Sequence, residues 1–233
     1  MLSFQKWEEF TVFHRVAAMA LMLAAYSTAA HTQDTAPDDK PPTVEEVAAA
    51  RSYADQLIAT ANAARYFENI TTDASPTVRH KTSGMMCAFS NPEYDKITVY
   101  PAQGPMGEGD DVGCNTRLMD VDFSNYATRY AHHFNEEAVL QDAMNAIMQR
   151  WPDAKPHAEG LITASINEAP AQRVAGYDIQ VGGQPLLTLV LVTHQGEWSF
   201  KGRVTGPSEG DTPTNLLGAI MFSRSLPAEK ATP

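Results

Sequence analysis

The chain has 233 residues, with 28 acidic against 17 basic side chains and a formal net charge of −11. A surface this acidic repels polyanions, so nucleic acid is not expected as a partner. Beyond the first 30 residues, the longest mainly apolar run, Leu186 to Val192, has only the length of a strand. No membrane-crossing helix is therefore predicted in that part of the chain.

Residues 1–30 are organised like a secretory signal peptide. Two basic residues precede an apolar run of 11 residues, Val16 to Tyr26, which is shorter than the ~20 residues that cross a bilayer. Small residues follow, and cleavage is expected near Ala29 or Ala30. We therefore expect a periplasmic or secreted protein that is not membrane-spanning after cleavage. Two acids within the first ten residues weaken the positive charge of this segment, so an uncleaved anchor is the alternative.

The rest of the chain divides into three parts. Residues 31–42 are polar and proline-bearing without periodicity, which predicts a disordered leader. Residues 43–226 combine helical and strand patterns and predict a single domain. Residues 227–233 are predicted to form a disordered tail.

Three helices are predicted within the domain. Thr43 and Glu46 form a capping box, and apolar side chains at steps of three and four continue to about Phe67. A second helix over residues 135–151 has acids in its first turn and an arginine in its last, as the helix dipole favours. A short third helix starts at residues 212–213, where a threonine N-cap precedes proline.

Between the helices the apolar period changes to two, which is typical of strands. Glycine-containing turns at residues 182–183 and 195–196 predict that the last three strands form an antiparallel meander. The fold class is therefore α+β, with a mainly antiparallel sheet of about seven to nine strands and helices on its apolar face. The predicted strands are Val78–Lys81, Met85–Phe89, Lys96–Tyr100, Val112–Leu118, Ser124–Ala131, Leu161–Ile166, Gln172–Val181, Leu186–Thr193 and Trp198–Thr205.

Cys87 and Cys114 are the two cysteines of a chain that is expected in an oxidising compartment. An even count there favours a single disulfide, which would close a loop of about 28 residues. Two buried, reduced cysteines are the alternative.

A glycine-rich loop at residues 102–111 ends close to the second cysteine and carries Asp110 and Asp111. If Arg117 and Arg129 lie on adjacent antiparallel strands, they can pair with these carboxylates, hold the loop in place and leave a charged pocket beside the cysteines. These two acids and two arginines are the candidate site. The simpler interpretation is an ordinary salt bridge on the sheet surface, worth at most ~1 kcal/mol.

No motif predicts a catalytic residue, a cofactor or a metal site. Residues 206–210 match a nucleophile elbow in form, but the following helix starts too late and no histidine follows the serine. His132 and His133 are strand neighbours that point to opposite faces, so they cannot chelate one ion together. A weak surface calcium site is the alternative to a solvated acidic turn. Its ligands would be Asp110, Asp111, Asp120 and Asp122.

Three sequence segments resemble segments of small exported proteins of Gram-negative bacteria that have no assigned activity. They span about residues 77–131 and read Arg79-His-x-x-Ser83-Gly-x-x-Cys87-x-Phe89, Gly109-Asp-Asp-Val-Gly-Cys114 and Tyr126-Ala-Thr-Arg-Tyr130. The resemblance implies export and a pairing of the two cysteines, and no chemistry. The order of mid-chain helix, meander and closing helix is similar to the PsbP/Mog1-like α+β fold, whose members act as binding or assembly accessories.

We therefore expect a non-enzymatic accessory that binds an envelope protein or a small ligand through one sheet face or the 102–111 loop. The first alternative is a hydrolase-like enzyme whose site is assembled from Asp110, Asp111, Arg129 and His132. The second is a carrier of a small apolar ligand. An enzyme needs converging polar groups in a concavity, an accessory exposes an apolar patch, and a carrier has an internal apolar cavity.

Overall fold

The computed structural model describes residues 40–132, 134–157, 160–166, 169–208 and 213–228. The predicted signal peptide, most of the predicted leader and the end of the predicted tail lie outside these residues, as do His133, Gly210 and Thr212. One compact unit begins at Pro41 and contains the elements below. None of the helices in the described ranges is long and apolar enough to cross a membrane.

The described residues form three helices and ten strands. The helices are α1 (Val44–Thr60), α2 (Glu136–Arg150) and α3 (Thr214–Ser225). The strands are β1 (Phe67–Asn69), β2 (Thr77–His80), β3 (Met86–Ala88), β4 (Lys96–Val99), β5 (Asp111–Leu118), β6 (Val121–Thr128), β7 (Lys155–Pro156), β8 (Arg173–Val181), β9 (Gln184–Gln195) and β10 (Trp198–Pro207). Helix α3 begins one residue later than predicted, with Pro213 as its N-cap.

Seven strands form one sheet in the order β4-β5-β6-β10-β9-β8-β7, and β1, β2 and β3 form a smaller one. Every pair of neighbours is antiparallel. The prediction of an α+β fold with a mainly antiparallel sheet is confirmed, and so is the meander of β8, β9 and β10. Gly182 and Gly183, at φ 58° and 83°, form the turn between β8 and β9. Positive φ at both positions matches the twist of the flanking strands.

Helices cover both faces of the large sheet, rather than one face as expected. Phe222 of α3 shares an apolar cluster with Leu189 of β9, whereas Ile147 of α2 shares a second cluster with the next β9 residue, Val190. Successive side chains of a strand point to opposite faces, so β9 is buried on both sides. This is why the run from Leu186 to Val192 shows no polar–apolar alternation, with Thr188 as its one polar residue.

The predicted starts of α1 and α2 are confirmed. The Thr43 hydroxyl accepts the Glu46 N–H at 3.2 Å, and the Glu46 carboxylate accepts the Thr43 N–H at 2.7 Å, which completes the capping box. Asn135 caps α2, because its side-chain oxygen accepts the Ala138 N–H at 2.8 Å. Helix α2 then runs to Arg150, as the apolar stripe indicated.

Helix α1 ends at Thr60, so the prediction that it continues to about Phe67 is wrong. Asn62 adopts a left-handed conformation, with φ 51°. The Ala63 N–H then donates to the Ile58 carbonyl at 2.9 Å, which is the reversal typical of a helix C-terminus. The alanine-rich pattern continues past this point and conceals the stop.

The predicted strand Leu161–Ile166 is not a strand in the structure. The Ile162 N–H donates to the side chain of Asn215 at 3.2 Å, and the Ile166 N–H donates to Ser223 Oγ at 2.8 Å. Side chains of α3 thus accept hydrogen bonds from backbone N–H groups that would have to pair with a neighbouring strand in a sheet.

Two strands of the structure were not predicted from the sequence. Strands β1 and β7 have only three and two residues, which is too short for an alternating pattern of apolar residues to reveal them.

The sulfurs of Cys87 and Cys114 lie 2.07 Å apart, the separation of a disulfide. Cys87 belongs to β3 and Cys114 to β5. Both side chains are buried. The pair therefore joins the smaller sheet to the larger one inside the core.

Candidate functional site

A pocket of about 460 Å³ lies at the end of the large sheet where β5 and β10 begin and β6 and β9 end. Its lining comes from three chain segments: Pro105, Met106 and Asp110 of the glycine-rich loop, residues 129–132 and Phe134 after β6, and His194 with residues 196–199 around the β9–β10 turn. The antiparallel order of the four strands places these three segments side by side.

An ion pair between Asp110 and Arg129 lies in the pocket wall. Arg129 Nε and Nη2 lie 2.9 and 2.6 Å from Asp110 Oδ1, and the Arg129 N–H donates to the Asp110 carbonyl at 2.7 Å. The other carboxylate oxygen of Asp110 accepts the Gly107 N–H at 2.7 Å. The structure thus brings together one of the pairs considered from the sequence, and this pair attaches the 102–111 loop to the end of β6.

Arg117 lies at the opposite end of the β5–β6 hairpin. Its Nε and Nη2 donate to the Asp122 carboxylate at 2.6 and 2.8 Å, and its guanidinium lies 3.8 Å from the centre of the Tyr94 ring. The expected pairing of Arg117 with Asp110 or Asp111 is therefore wrong. The register sets Arg117 opposite Asp122, about 20 Å along the strand from the pocket.

Asp111 is turned away from the arginines and accepts a hydrogen bond from Thr128 Oγ1 at 2.9 Å. Burial raises the pKa of Asp111, while the Thr128 hydroxyl and the charge of Lys201 act against that rise. The proposed calcium ligands are also separated, because Asp120 and Asp122 lie at the far end of the hairpin. Across the described ranges, no group of three or more His, Cys, Asp or Glu side chains is arranged to hold a metal ion.

Three further pocket residues, His194, Trp198 and Ser199, were not singled out from the sequence. The Arg129 guanidinium lies 5.6 Å from the centre of the Trp198 ring, within cation–π range. His132, which was considered for the enzyme alternative, also lines the pocket. The predicted hairpin turn sets Ser199 opposite His194, but the approach of Trp198 to Arg129 depends on the pairing of β10 with β6.

Ser199 places a buried hydroxyl beside the pocket. The register sets Ser199 opposite Thr128 on one side and His194 on the other, and directly opposed residues share a sheet face. The side chain is 5% exposed, and its Oγ has no hydrogen-bond partner among the described residues. Leaving such a group unsatisfied costs about 1–3 kcal/mol, so Ser199 is a polar group that a ligand can satisfy.

Tyr66 supports the glycine-rich loop from the side. Its hydroxyl donates to the Glu108 carboxylate at 2.7 Å. Gly109 has φ +83°, and a Cβ at this position would lie 2.4 Å from the Tyr66 ring. Only glycine fits both the backbone conformation and this close approach. The loop is therefore held at two successive positions, Gly109 and Asp110.

His80 lies behind the pocket, in the core. Its ring is 5.4 Å from that of Trp198, its Nδ1 is 2.8 Å from Ser83 Oγ, and the side chain is 1% exposed. Burial lowers the pKa of His80 to about 4, although the charge of Asp110 acts in the opposite direction. The ring is therefore neutral at neutral pH and packs behind the indole of Trp198.

Protonation of His80 makes the fold sensitive to acid. An unfolded histidine titrates near 6.5, so between that pH and about 4 the unfolded chain binds a proton that the folded chain does not. The contribution of His80 to stability is fully present above pH 6.5 and is lost as the pH falls, by roughly 3 kcal/mol in total. We expect His80→Gln to remove most of this pH dependence in urea unfolding at pH 7 and pH 4.5. Carboxylates titrate in both proteins, so the difference between them isolates His80; identical pH dependence would contradict the prediction.

Large exposed apolar side chains are dispersed over the described part of the chain. Val44, Met148 and Leu216 lie on the three helices, Met119 and Val181 lie at the turn ends of two hairpins, and Ile162 lies in a loop. The polar pocket is therefore a better candidate for a binding site than an apolar patch built from these residues.

Comparison with known proteins adds little to this geometry. No family model matches the chain, and no curated protein matches it. A solved structure that matches is that of PA94, a protein of unknown function from Pseudomonas aeruginosa. The match covers 48% of this chain and 68% of that chain at 16% sequence identity, with a TM-score of 0.30. A likeness this distant carries no argument about function.

Proposed function

We propose that this protein is an exported binding accessory, and that it holds a small polar ligand between the 102–111 loop and the β9–β10 turn. Export is supported by the signal-like organisation of residues 1–30. The sulfurs of Cys87 and Cys114, 2.07 Å apart, suit an oxidising compartment.

The buried Ser199 hydroxyl is the observation that carries the proposal. It lacks a hydrogen-bond partner among the described residues, and it lies in a pocket whose volume of about 460 Å³ falls within the range typical of small-molecule sites. Tyr130 and Trp198 add flat aromatic surface, and Arg129 adds a guanidinium. The ligand class that fits is a small molecule with a planar ring and a hydrogen-bonding group.

The test is a ligand-observed NMR screen of small planar polar compounds, repeated with Ser199→Ala. Because the hydroxyl makes no bond within the described protein, we expect the variant to weaken binding of the screened hits about tenfold. The unliganded variant loses an unsatisfied buried hydroxyl, so its free energy of unfolding should stay the same or rise by about 1–3 kcal/mol. The matched control is Ser208→Ala, beyond the other end of β10, which should bind as the parent does. If no compound binds, or if both serine variants bind equally well, the pocket is not the ligand site.

A hydrolase-like enzyme is the second candidate, because Asp110, Arg129 and His132 line the same pocket. Asp111, the fourth residue of that hypothesis, bonds Thr128 instead. Turnover of a panel of simple esters that disappears in His132→Ala would establish the enzyme and overturn the non-enzymatic proposal. The carrier hypothesis is not favoured by this pocket, since charged side chains line it.

A further inference from the structure

The hydrogen-bonding group at the base of the pocket is closed off from solvent. Ser199 is 5% exposed and the adjacent Trp198 is 9% exposed, and the Ser199 hydroxyl oxygen itself is buried. A molecule larger than water can therefore reach this hydroxyl only when part of the pocket rim moves aside. The segment that moves is the one with the fewest attachments to the rest of the protein.

Two of the three segments that line the pocket are firmly attached. After β6, the Arg129 N–H donates to the Asp110 carbonyl at 2.7 Å, and the Asn135 cap of α2 follows shortly afterwards. At the β9–β10 turn, the ladder between the two strands continues to the last pair, and the His194 N–H donates to the Glu136 carboxylate at 3.0 Å. Both segments continue directly into regular secondary structure.

The third segment, the glycine-rich loop, has a fixed half and a loose half. Its second half, residues 107–110, is held by the Asp110–Arg129 ion pair and by the bond between Glu108 and Tyr66. Its first half, residues 101–106, makes no hydrogen bond to any other segment of the described chain.

The loose half is joined by a turn of its own. The Met106 N–H donates to the Gln103 carbonyl at 3.1 Å, and residues 101–105 are all exposed. A Cβ at Gly104 would have no atom within 4 Å, and its φ is +59°. This half therefore projects from the protein and combines solvent exposure with few contacts, the properties of segments that open easily.

Both ends of the loose half are anchored. Before it, the Tyr100 N–H donates to the Asp111 carbonyl at 2.9 Å, and the Tyr100 ring stacks on that of Tyr126 with centres 6.3 Å apart. After it, the Gly107 N–H donates to the Asp110 carboxylate at 2.7 Å. The segment between these anchors can swing as one flap without disturbing the sheet.

We infer that residues 101–106 form a lid over the pocket, and that Met106 closes onto the ring of a molecule bound at Ser199. The inference rests on the function proposed above and names a further binding residue for it. Pro105 and Met106 already line the pocket, and Met106 is half-buried. A methionine side chain is flexible and polarisable, so it adapts to an aromatic ring. Opening of the lid then sets the rate at which the molecule leaves.

The first test measures motion of the lid by 15N relaxation dispersion, with benzamide as a probe that has a planar ring and a hydrogen-bonding group. In the free protein we expect exchange on the microsecond-to-millisecond timescale at Gln103, Gly104 and Met106. Residues 107–110 are the internal control and should show none. Saturating benzamide should suppress the exchange, because the closed lid is held by its contact with the ring.

The second test measures the dissociation rate of benzamide by NMR line shapes. Met106→Ala removes the contact of the closed lid and should raise koff about tenfold. Met106→Leu keeps an apolar side chain of similar size and should stay within about threefold of the parent. The matched control is Met148→Ala, a 40% exposed methionine on α2, which should leave koff unchanged. The Tm of Met106→Ala should match that of the parent, because the lid contributes little to the core.

The outcomes separate the lid from the pocket. Benzamide binding without exchange in residues 101–106, or with the same koff in Met106→Ala and the parent, overturns the lid and leaves the pocket as proposed. Equal acceleration by Met148→Ala overturns it as well. Absence of saturable benzamide binding to the parent also overturns the lid, and the wider screen with Ser199→Ala then decides the proposed function separately.

Discussion

Replacing Cys87 and Cys114 together with alanine should lower the free energy of unfolding by about 3.5 kcal/mol. A cross-link over a loop of about 28 residues restricts the unfolded chain, and the chain-entropy relation predicts a loss of this size when it is removed. The two sulfurs are at disulfide distance. Urea unfolding of the parent and of the double variant measures the difference.

Reduction of the parent protein is the control for lost packing. Both cysteines are buried, at 1% and 5% exposure, so alanine also removes two sulfur atoms from the core. The reduced parent keeps those atoms and loses only the bond, and it should show most of the same destabilisation. Hydrogen exchange should rise most in β1, β2 and β3, because Cys87 attaches that sheet to β5. A loss below about 1 kcal/mol would contradict the cross-link.

Phe222→Ala should cost about 3–5 kcal/mol of stability, the range measured for large aromatic side chains in cores. Phe222 is 1% exposed and belongs to the cluster that contains Leu189, Phe200 and Val204. Its ring packs directly over Gly202, where a Cβ would lie 2.6 Å from the ring. The truncation leaves a cavity between α3 and the sheet, and chemical denaturation measures its effect.

Two companion variants bracket this prediction. Gly202→Ala pushes a methyl group toward the Phe222 ring and should cost about 1–3 kcal/mol by overpacking the same contact. Leu216→Ala, on the 44% exposed side chain of the same helix, should change stability by less than about 0.5 kcal/mol. If Phe222→Ala were no more destabilising than Leu216→Ala, α3 would not pack on the sheet as described.

Several elements follow from local chemistry alone and were predicted from the sequence. The capping box of Thr43 and Glu46, the stripe of α2 with its Asn135 cap, and the glycine turns of the meander each depend on residues within a few positions of one another. Such signals are complete in the sequence, because the groups that interact are already neighbours in the chain.

Other elements were decided by contacts between distant residues. The segment 161–166 has a strand-like composition, yet Asn215 and Ser223, more than 50 residues away, bond its backbone. The smaller sheet separates from the larger one, although the strand patterns in the sequence do not distinguish the two. Periodicity shows that a residue faces a core, but it does not show which core.

For the candidate site, the sequence determined which groups were available and the tertiary structure decided which of them meet. Asp110 and Arg129 could be considered as a pair because Arg129 was expected on one of two adjacent antiparallel strands next to the loop, but Arg117 met the same condition and pairs elsewhere. Trp198 lies close to Arg129 because β10 pairs with β6. The order and register of strands distant in sequence depend on the packing of the whole sheet, and no short stretch of the chain encodes them.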